Sequence, residues 1–326
     1  MLGFCLVLAA AFCFCFQNVI LRVLFTEQTI AGFLHTGGFV APTLPNSFLL
    51  MFMRMVIVVP LMASLATTLY PNTWQEIRAI STSGQQRWLG RSLAGGGLMF
   101  LYLALLYISV GLIPTGIALT LFFTYPVFTA LIAWYAFGSP PTRFRWGIMA
   151  LILLGSFLTL PQTGFTGGQT SAIGILCGIT AGLAYALYTV NAQQSFAYLH
   201  PVPFTWMSFA ITLVLSTLSL RGWHSPPIPI QWGPLWIGGI LSAIVTLAGH
   251  VLNNLGIRQI GATAAAMIGA SNPALTVVLA WLAIQERLNS RQLASRSSPW
   301  VSSSSATTPP PNGRNPHLNL FSTLRA

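Results

Sequence analysis

Residues 116–137 read GIALTLFFTYPVFTALIAWYAF, and residues 263–284 read TAAAMIGASNPALTVVLAWLAI. Both runs are uncharged and apolar. Each is long enough to cross a bilayer's hydrocarbon layer of about 30 Å, which takes about 20 helical residues. They also share an internal pattern. Tyr125-Pro126-Val127 followed by Ala133-Trp134 in the first recurs, at the same spacing, as Asn272-Pro273-Ala274 followed by Ala280-Trp281 in the second. Just upstream, Ile113-Pro114-Thr115-Gly116 lines up with Ile260-Gly261-Ala262-Thr263. The pair therefore says two things at once: the chain crosses a membrane, and it repeats itself.

Seven more apolar runs surround these two, at residues 1–21, 48–70, 93–113, 144–160, 173–194, 203–220 and 235–256. The first has neither the positive start nor the small-residue cleavage site of a signal peptide, so it is read as a helix. The runs are too long and too evenly apolar for barrel strands. Backbone amides in lipid need partners within the segment, so the fold class is all-α, a polytopic membrane protein with nine apparent spans. Charged residues are 5% of the chain and apolar ones 54%, a balance that water could not solvate.

The net charge of +11 comes from 14 arginines and three acids, Glu27, Glu76 and Glu286. Arg78, Arg87 and Arg91 lie between the second and third spans, and Arg143 and Arg145 between the fourth and fifth. These two loops fall on one side, opposite a loop in which Arg22 is offset by Glu27. The positive-inside rule then places the N-terminus in the cytoplasm. The second half is less one-sided, with Arg258 inside but Arg221 and Arg287 outside. Arginines scattered singly among loops reflect topology and make a nucleic-acid site a poor explanation. Cys5, Cys13, Cys15 and Cys177 all lie in spans without metal-ligand spacing and read as small buried hydrophobes.

A weaker match sets Asn18-Val19 of the first span against Thr189-Val190 of the sixth, so the repeating unit is about five helices. Five is odd, so the second copy crosses the membrane in the opposite sense. Such inverted repeats are a recurring architecture of secondary transporters, with the substrate near the midplane between the halves.

With Arg54-Met55 early in the second span, the apolar-Pro-apolar cores of spans four and nine, and Glu286-Arg287-Leu288 after span nine, the chain resembles the EamA-type transporters of the drug/metabolite transporter superfamily. The resemblance covers residues 1 to about 294. It implies ten helices in two five-helix repeats, residues 1–161 and 172–294, and a bacterial cytoplasmic (inner) membrane location. Two departures stand out. Where the family has Gly-Glu after span four, this chain reads Gly138-Ser139-Pro140. The tenth helix is also missing: residues 295–326 are rich in Ser, Pro, Thr and Asn, a composition of disorder. Either a reading-frame shift near Ala294 replaced the helix, or the chain is a nine-helix variant whose C-terminus faces outward.

Candidate substrate contacts follow from polar side chains inside spans. His250, Asn253 and Asn254 sit three and four residues apart and share one face of the eighth span. A polar stripe in a span faces the bundle interior or a water-filled path. Tyr185, Tyr188 and Asn191 form a second group in span six, with Gln17 and Asn18 at the corresponding end of span one. Tyr102, Tyr107 and Tyr125 add polar tips, and Asn272 precedes the second proline. Each also has a plain structural reading, as an interhelical hydrogen bond or a core aromatic. Pro126 and Pro273 should kink their helices and free the carbonyls of Phe122 and Gly269. For Arg54 the first expectation is snorkelling to the headgroups, the second an anionic substrate. Gly174, Gly178 and Gly182 form overlapping GxxxG steps that let helices approach.

No phosphate-binding loop occurs, so nucleotide hydrolysis does not drive transport in this chain. There is no Asp and no Glu within a span, which argues against carboxylate-based proton coupling. His35, His200, His224, His250 and His317 are isolated and lack acidic partners, which disfavours an intramembrane enzyme; no catalytic residue, metal or cofactor is expected. The reading is a small-molecule carrier for a metabolite, amino acid or drug-like solute, working by alternating access. The alternatives are a non-transporting or inactive membrane protein, or an intramembrane enzyme. The expected partners are the solute and lipid; a homodimer is compatible with the sequence. Translating the gene's 3′ end beyond the Glu286 codon in the other two frames tests the tail: a frame shift predicts an apolar run of about 18 residues there.

Overall fold

Hydrocarbon offers backbone amides no water, so the apolar runs close their hydrogen bonds within themselves. The computed structural model describes residues 1–25, 27–30, 34–41, 43–82, 86–113, 115–138, 140–159, 169–221, 231–272 and 275. In chain order the elements are α1 (Leu2–Phe25), β1 (Glu27–Ile30), β2 (Leu34–Gly37), α2 (Leu44–Leu69), α3 (Thr73–Thr82), α4 (Gln86–Leu112), α5 (Thr115–Phe122), α6 (Tyr125–Phe137), α7 (Arg143–Thr159), α8 (Gln169–Ser195), α9 (Pro201–Arg221), α10 (Trp232–Ile260) and α11 (Ala262–Gly269). Among the described residues, seven spans are long and apolar enough to cross a membrane, with α5 and α6 together supplying one of them. Of the nine expected, the fifth corresponds to the shorter α7, 17 residues long. The ninth is described over α11 and a few residues beyond. The expectations for Pro273, Glu286 and the tail 295–326 fall outside the described residues.

The polarity of the bundle is inverted relative to a protein in water. Arg54, His250 and Asn254 are buried, while Phe144, Leu151 and Ile237 are more than 60% exposed. A surface of that kind faces lipid. Inside, hydroxyls return to their own helices: Thr129 donates to the Tyr125 carbonyl at 2.8 Å and Ser208 to that of Phe204 at 2.9 Å. Of the four cysteines only Cys15 is buried. Cys5 is exposed, and Cys13 and Cys177 are half-buried, because their helix faces turn toward lipid.

Two loops carry more structure than hydropathy reveals. The segment 22–47 holds an antiparallel hairpin, with Glu27 opposite Gly37 and Ile30 opposite Leu34. The Gly38 amide ties it to the carbonyl of Val23 at 3.1 Å. Between the second and third spans lies α3, with Glu76 in its first turn, where a carboxylate suits the helix dipole. α4 begins at Gln86, ahead of the apolar run, because a helix continues past the hydrocarbon edge wherever its polar residues reach water.

Proline does more than kink the fourth span. α5 stops at Phe122, residues 123–124 turn, and Pro126 occupies the first turn of α6, where its missing N–H removes no bond. The span is a broken helix. The carbonyl of Phe122, which Pro126 cannot satisfy, lies against Gly182 of α8. α11 ends in the same way, with a turn at 270–271 before Asn272. α5 and α11 are both eight residues long and displaced by 147 residues (115 to 262, 122 to 269).

α4 packs along α8, α1 along α10, and α2 against α9. Glycines make these approaches close. Gly3 and Gly256 join α1 to α10, where Gly256 faces Val7, and Gly174, Gly178 and Gly182 join α8 to α4 and α5. The GxxxG steps thus act as packing surfaces. α1 and α10 run antiparallel, as do α4 and α8: Gly3 lies beside Gln259, and Asn191 beside Arg91. The N-terminus, Arg87, Arg91 and Arg258 therefore share one end of the bundle, and the hairpin marks the other.

A methyl at Gly182 would lie 2.8 Å from the Phe122 carbonyl oxygen. Backbone cannot yield as a side chain can, so Gly182→Ala should cost about 1–3 kcal/mol, read as a lower melting temperature of the purified protein.

Candidate functional site

Where the fourth span breaks, a cavity of about 70 Å³ opens, room for about five waters. α1 contributes Phe14, Gln17 and Asn18 to its wall, and α4 contributes Tyr102, Leu103 and Leu106. The broken span adds Leu119, Phe122, Phe123 and Tyr125. Tyr185 comes from α8, His250 from α10, and Asn272 from just beyond α11.

His250 is held by shape more than by hydrogen bonds. Its ring lies edge-on to Phe14, with centroids 5.0 Å apart, and 5.5 Å from Phe209. Nε2 is 3.4 Å from the Tyr102 hydroxyl, while Nδ1 has no partner among the described residues. Asn272 accepts a hydrogen bond at Oδ1 from the Cys15 thiol at 2.7 Å. Gln17 accepts from Thr246 at 2.9 Å, which fixes its amide beside the cavity. The Tyr125 hydroxyl reaches toward the Ala266 carbonyl at 3.5 Å, joining α6 to α11. Tyr185 meets Tyr102 at 4.9 Å and 72°, and Tyr125 at 4.7 Å and 87°. These are edge-to-face pairs, the arrangement that ring quadrupoles favour.

Seven of the twelve residues singled out from sequence therefore line one cavity: Gln17, Asn18, Tyr102, Tyr125, Tyr185, His250 and Asn272. The other five stand elsewhere, Tyr107 among them as the acceptor of Arg54. Asn254 donates to Tyr188 at 3.0 Å and to Thr205 at 2.8 Å, tying α10 to α8 and α9. Asn253 bonds Tyr185 from outside the lining set. Asn191 donates to the Arg91 carbonyl at 3.0 Å, at the arginine-rich end. The stripe divides because positions three and four residues on are about 100° apart around a helix. One face of α10 is thus shared among several neighbours.

Sequence reasoning missed Phe14, although Phe14, Gln17 and Asn18 have the spacing of one helix face. It also missed Cys15, which holds Asn272, and the apolar lining, which carries no signal distinct from lipid-facing residues. Arg54 corrects an expectation. It is buried at 2% exposure, its Nη2 donating to the Tyr107 hydroxyl at 3.0 Å. Because α2 starts at Leu44, Arg54 lies roughly 15 Å along the helix, too far in for its head to reach the membrane surface.

The arginine-rich end is closed by contacts between the two halves of the sequence. Tyr70 and His200 stack at 4.0 Å and 8°. Glu76 accepts from the Tyr70 hydroxyl at 2.5 Å and from the His200 backbone N–H at 3.1 Å. Trp74 meets Trp206 at 5.0 Å, and Trp88 meets Tyr198 at 3.7 Å with Arg91 over the Trp88 ring.

The model of the EamA-like transporter family matches residues 172–296. The uncharacterized transporter sll1319 of Synechocystis sp. is 54% identical over 293 residues, 90% of this chain and 89% of that protein. The threonine/homoserine exporter RhtA of Escherichia coli K12 is 24% identical over 203 residues, 61% of this chain and 63% of that protein. A protein known from its crystal structure shares the fold, with a TM-score of 0.60, 14% identity, and 86% of this chain and 87% of that chain covered.

The Glu76 junction is sensitive to pH. Burial, and then the Arg258 charge, push the His200 imidazole below its ordinary value, and Glu76 opposes them. Tyr70 is pushed above the usual tyrosine range, chiefly by its hydrogen bond to Glu76, and stays neutral. A lowered histidine stabilises the fold above the unfolded value, about 6.5, and that contribution is lost as pH falls below it. The melting temperature should therefore drop between pH 7 and 5, and His200→Asn should make the drop smaller.

Proposed function

The chain belongs to the EamA-like transporter family, and from that premise we propose that it is a secondary carrier moving a small polar metabolite by alternating access. One observation carries the reading: a polar, aromatic cavity sits where a membrane helix breaks, among helices from both halves of the sequence. Irregular backbone at membrane depth is tolerated only where protein or a water-filled cavity covers it.

The proposed architecture is two inverted five-helix repeats, with nine spans of an expected ten. The identical lengths and turns of α5 and α11, 147 residues apart, support it. So does the packing, since α4 lies on α8 as α10 lies on α1. The rocking interface is proposed to run between the repeats. The conformer is then one whose arginine-rich end, assigned to the cytoplasm of a bacterial inner membrane, is shut by Glu76, Tyr70 and His200.

His250, Tyr102, Tyr125, Tyr185, Gln17, Asn18 and Asn272 are proposed to touch the solute. Asn253, Asn254, Tyr188 and Asn191 are proposed to hold the helices that carry them. A cavity this small suits a solute of amino-acid size, and the name of the exporter RhtA, threonine/homoserine, supports that class. With no acid in a span, exchange or facilitated movement is the simplest coupling.

Counterflow in proteoliposomes, with L-threonine and a panel of other small amino acids, tests the reading. His250→Ala should lower flux about tenfold, equivalent to about 1.4 kcal/mol. Flux unchanged by His250→Ala would remove the site, and no flux for any solute would remove the carrier.

A further inference from the structure

Arg54 holds a full positive charge inside the bundle with little to balance it. Its Nη2 is spent on a neutral acceptor, the Tyr107 hydroxyl, while Nε and Nη1 meet no acceptor among the described residues. A guanidinium keeps its proton at every physiological pH, and burying one unpaired is costly in protein or lipid. The chain has three acids in all. Glu27 lies on the hairpin strand β1, Glu76 is engaged by Tyr70 and His200, and Glu286 follows the last apolar run. An uncompensated buried cation is retained at a stability cost, which points to an anion that arrives from outside.

The cavity described above is next to this charge. Tyr107 follows the lining residue Leu106 and lies one helical turn from Leu103. Tyr102, on the same helix as Tyr107, and His250, 3.4 Å from the Tyr102 hydroxyl, both line the cavity. The rings of Phe122, Tyr125 and Tyr185 also line the cavity, and aromatic rings can attract an ammonium group. The cavity thus has an aromatic wall, and the guanidinium lies behind it, held by Tyr107.

Resting on the carrier reading, we infer that Arg54 is the anion anchor of the cavity and that the transported solute carries a carboxylate, whose charge balances the guanidinium while the solute is bound. For an amino acid the carboxylate turns toward Arg54 and the ammonium toward the tyrosines. A phosphate of a lipid headgroup has the same chemistry for Arg54, so the test separates the two.

The full-length protein in phosphatidylcholine nanodiscs is melted with acetate, 3-hydroxybutyrate, glycine and L-threonine, and with the amides of the same four acids. At least one acid should raise the midpoint by about 5 °C at saturation, and its amide should not. Arg54→Gln should abolish the shift, and Arg54→Lys should keep part of it, since lysine preserves the charge without the planar fork. With no solute present, Arg54→Gln should melt no lower than the parent, because it removes an unpaired buried charge.

Amides as effective as acids, no response to any acid, or an acid response surviving in Arg54→Gln would each overturn the anchor. So would Glu286→Gln reproducing the Arg54→Gln behaviour, which would mean an internal ion pair. Stabilisation by phosphatidylglycerol in place of the acids would assign the site to lipid. Neutral-solute flux that persists in Arg54→Gln would sink the anchor and leave the carrier standing. Acid binding without flux of any solute would do the reverse.

Discussion

Every backbone N–H and C=O within the bilayer has to find its partner in protein, and the rest of this architecture depends on that constraint. It turns the apolar runs into helices and sends the hydroxyls of Thr129 and Ser208 back to their own carbonyls. It also limits where a helix can stop. The break between α5 and α6 stands at membrane depth only because Gly182 of α8 brings its backbone against the exposed Phe122 carbonyl and the aromatic cavity covers the other side. The turn that ends α11 obeys the same rule. The site is thus a consequence of the way the chain accommodates Pro126.

The second constraint is electrostatic. With three acids against fourteen arginines, no carboxylate neutralises the buried Arg54 among the described residues. His250 is boxed by Phe14 and Phe209, and Arg54 by neutral groups. Polar capacity left unsatisfied in a low-dielectric interior is expensive. Among the described residues, His250 carries one such unsatisfied atom into the wall of the cavity.

The helix pairs and the arginine-rich end are held by different kinds of contact. Along α1–α10 and α4–α8, glycines allow backbones to touch, and dispersion holds them over their whole length. At the arginine-rich end the contact is narrow: one carboxylate, Glu76, joins a tyrosine of the first half to a backbone amide of the second. Water can replace the hydrogen bonds of such a polar junction, which it cannot do for the apolar seams.

Hydropathy and the positions of arginine determined, from sequence alone, that this chain is a helical membrane protein and where most of its spans lie, because a bilayer sets segment length and composition directly. The recurring Pro and Trp marked the two broken or turned helices, and polar residues in spans found seven residues of the cavity wall. Tertiary structure decided which face of α10 each member of the His250, Asn253 and Asn254 stripe meets, since a spread of about 100° around a helix reaches several neighbours. It decided too that Arg54 is buried instead of snorkelling, that α3 closes one end through Glu76, and that Cys15 orients Asn272. Those outcomes depend on which helices pack side by side, and local composition in lipid carries no record of that, because a residue facing lipid and one facing another helix can be equally apolar.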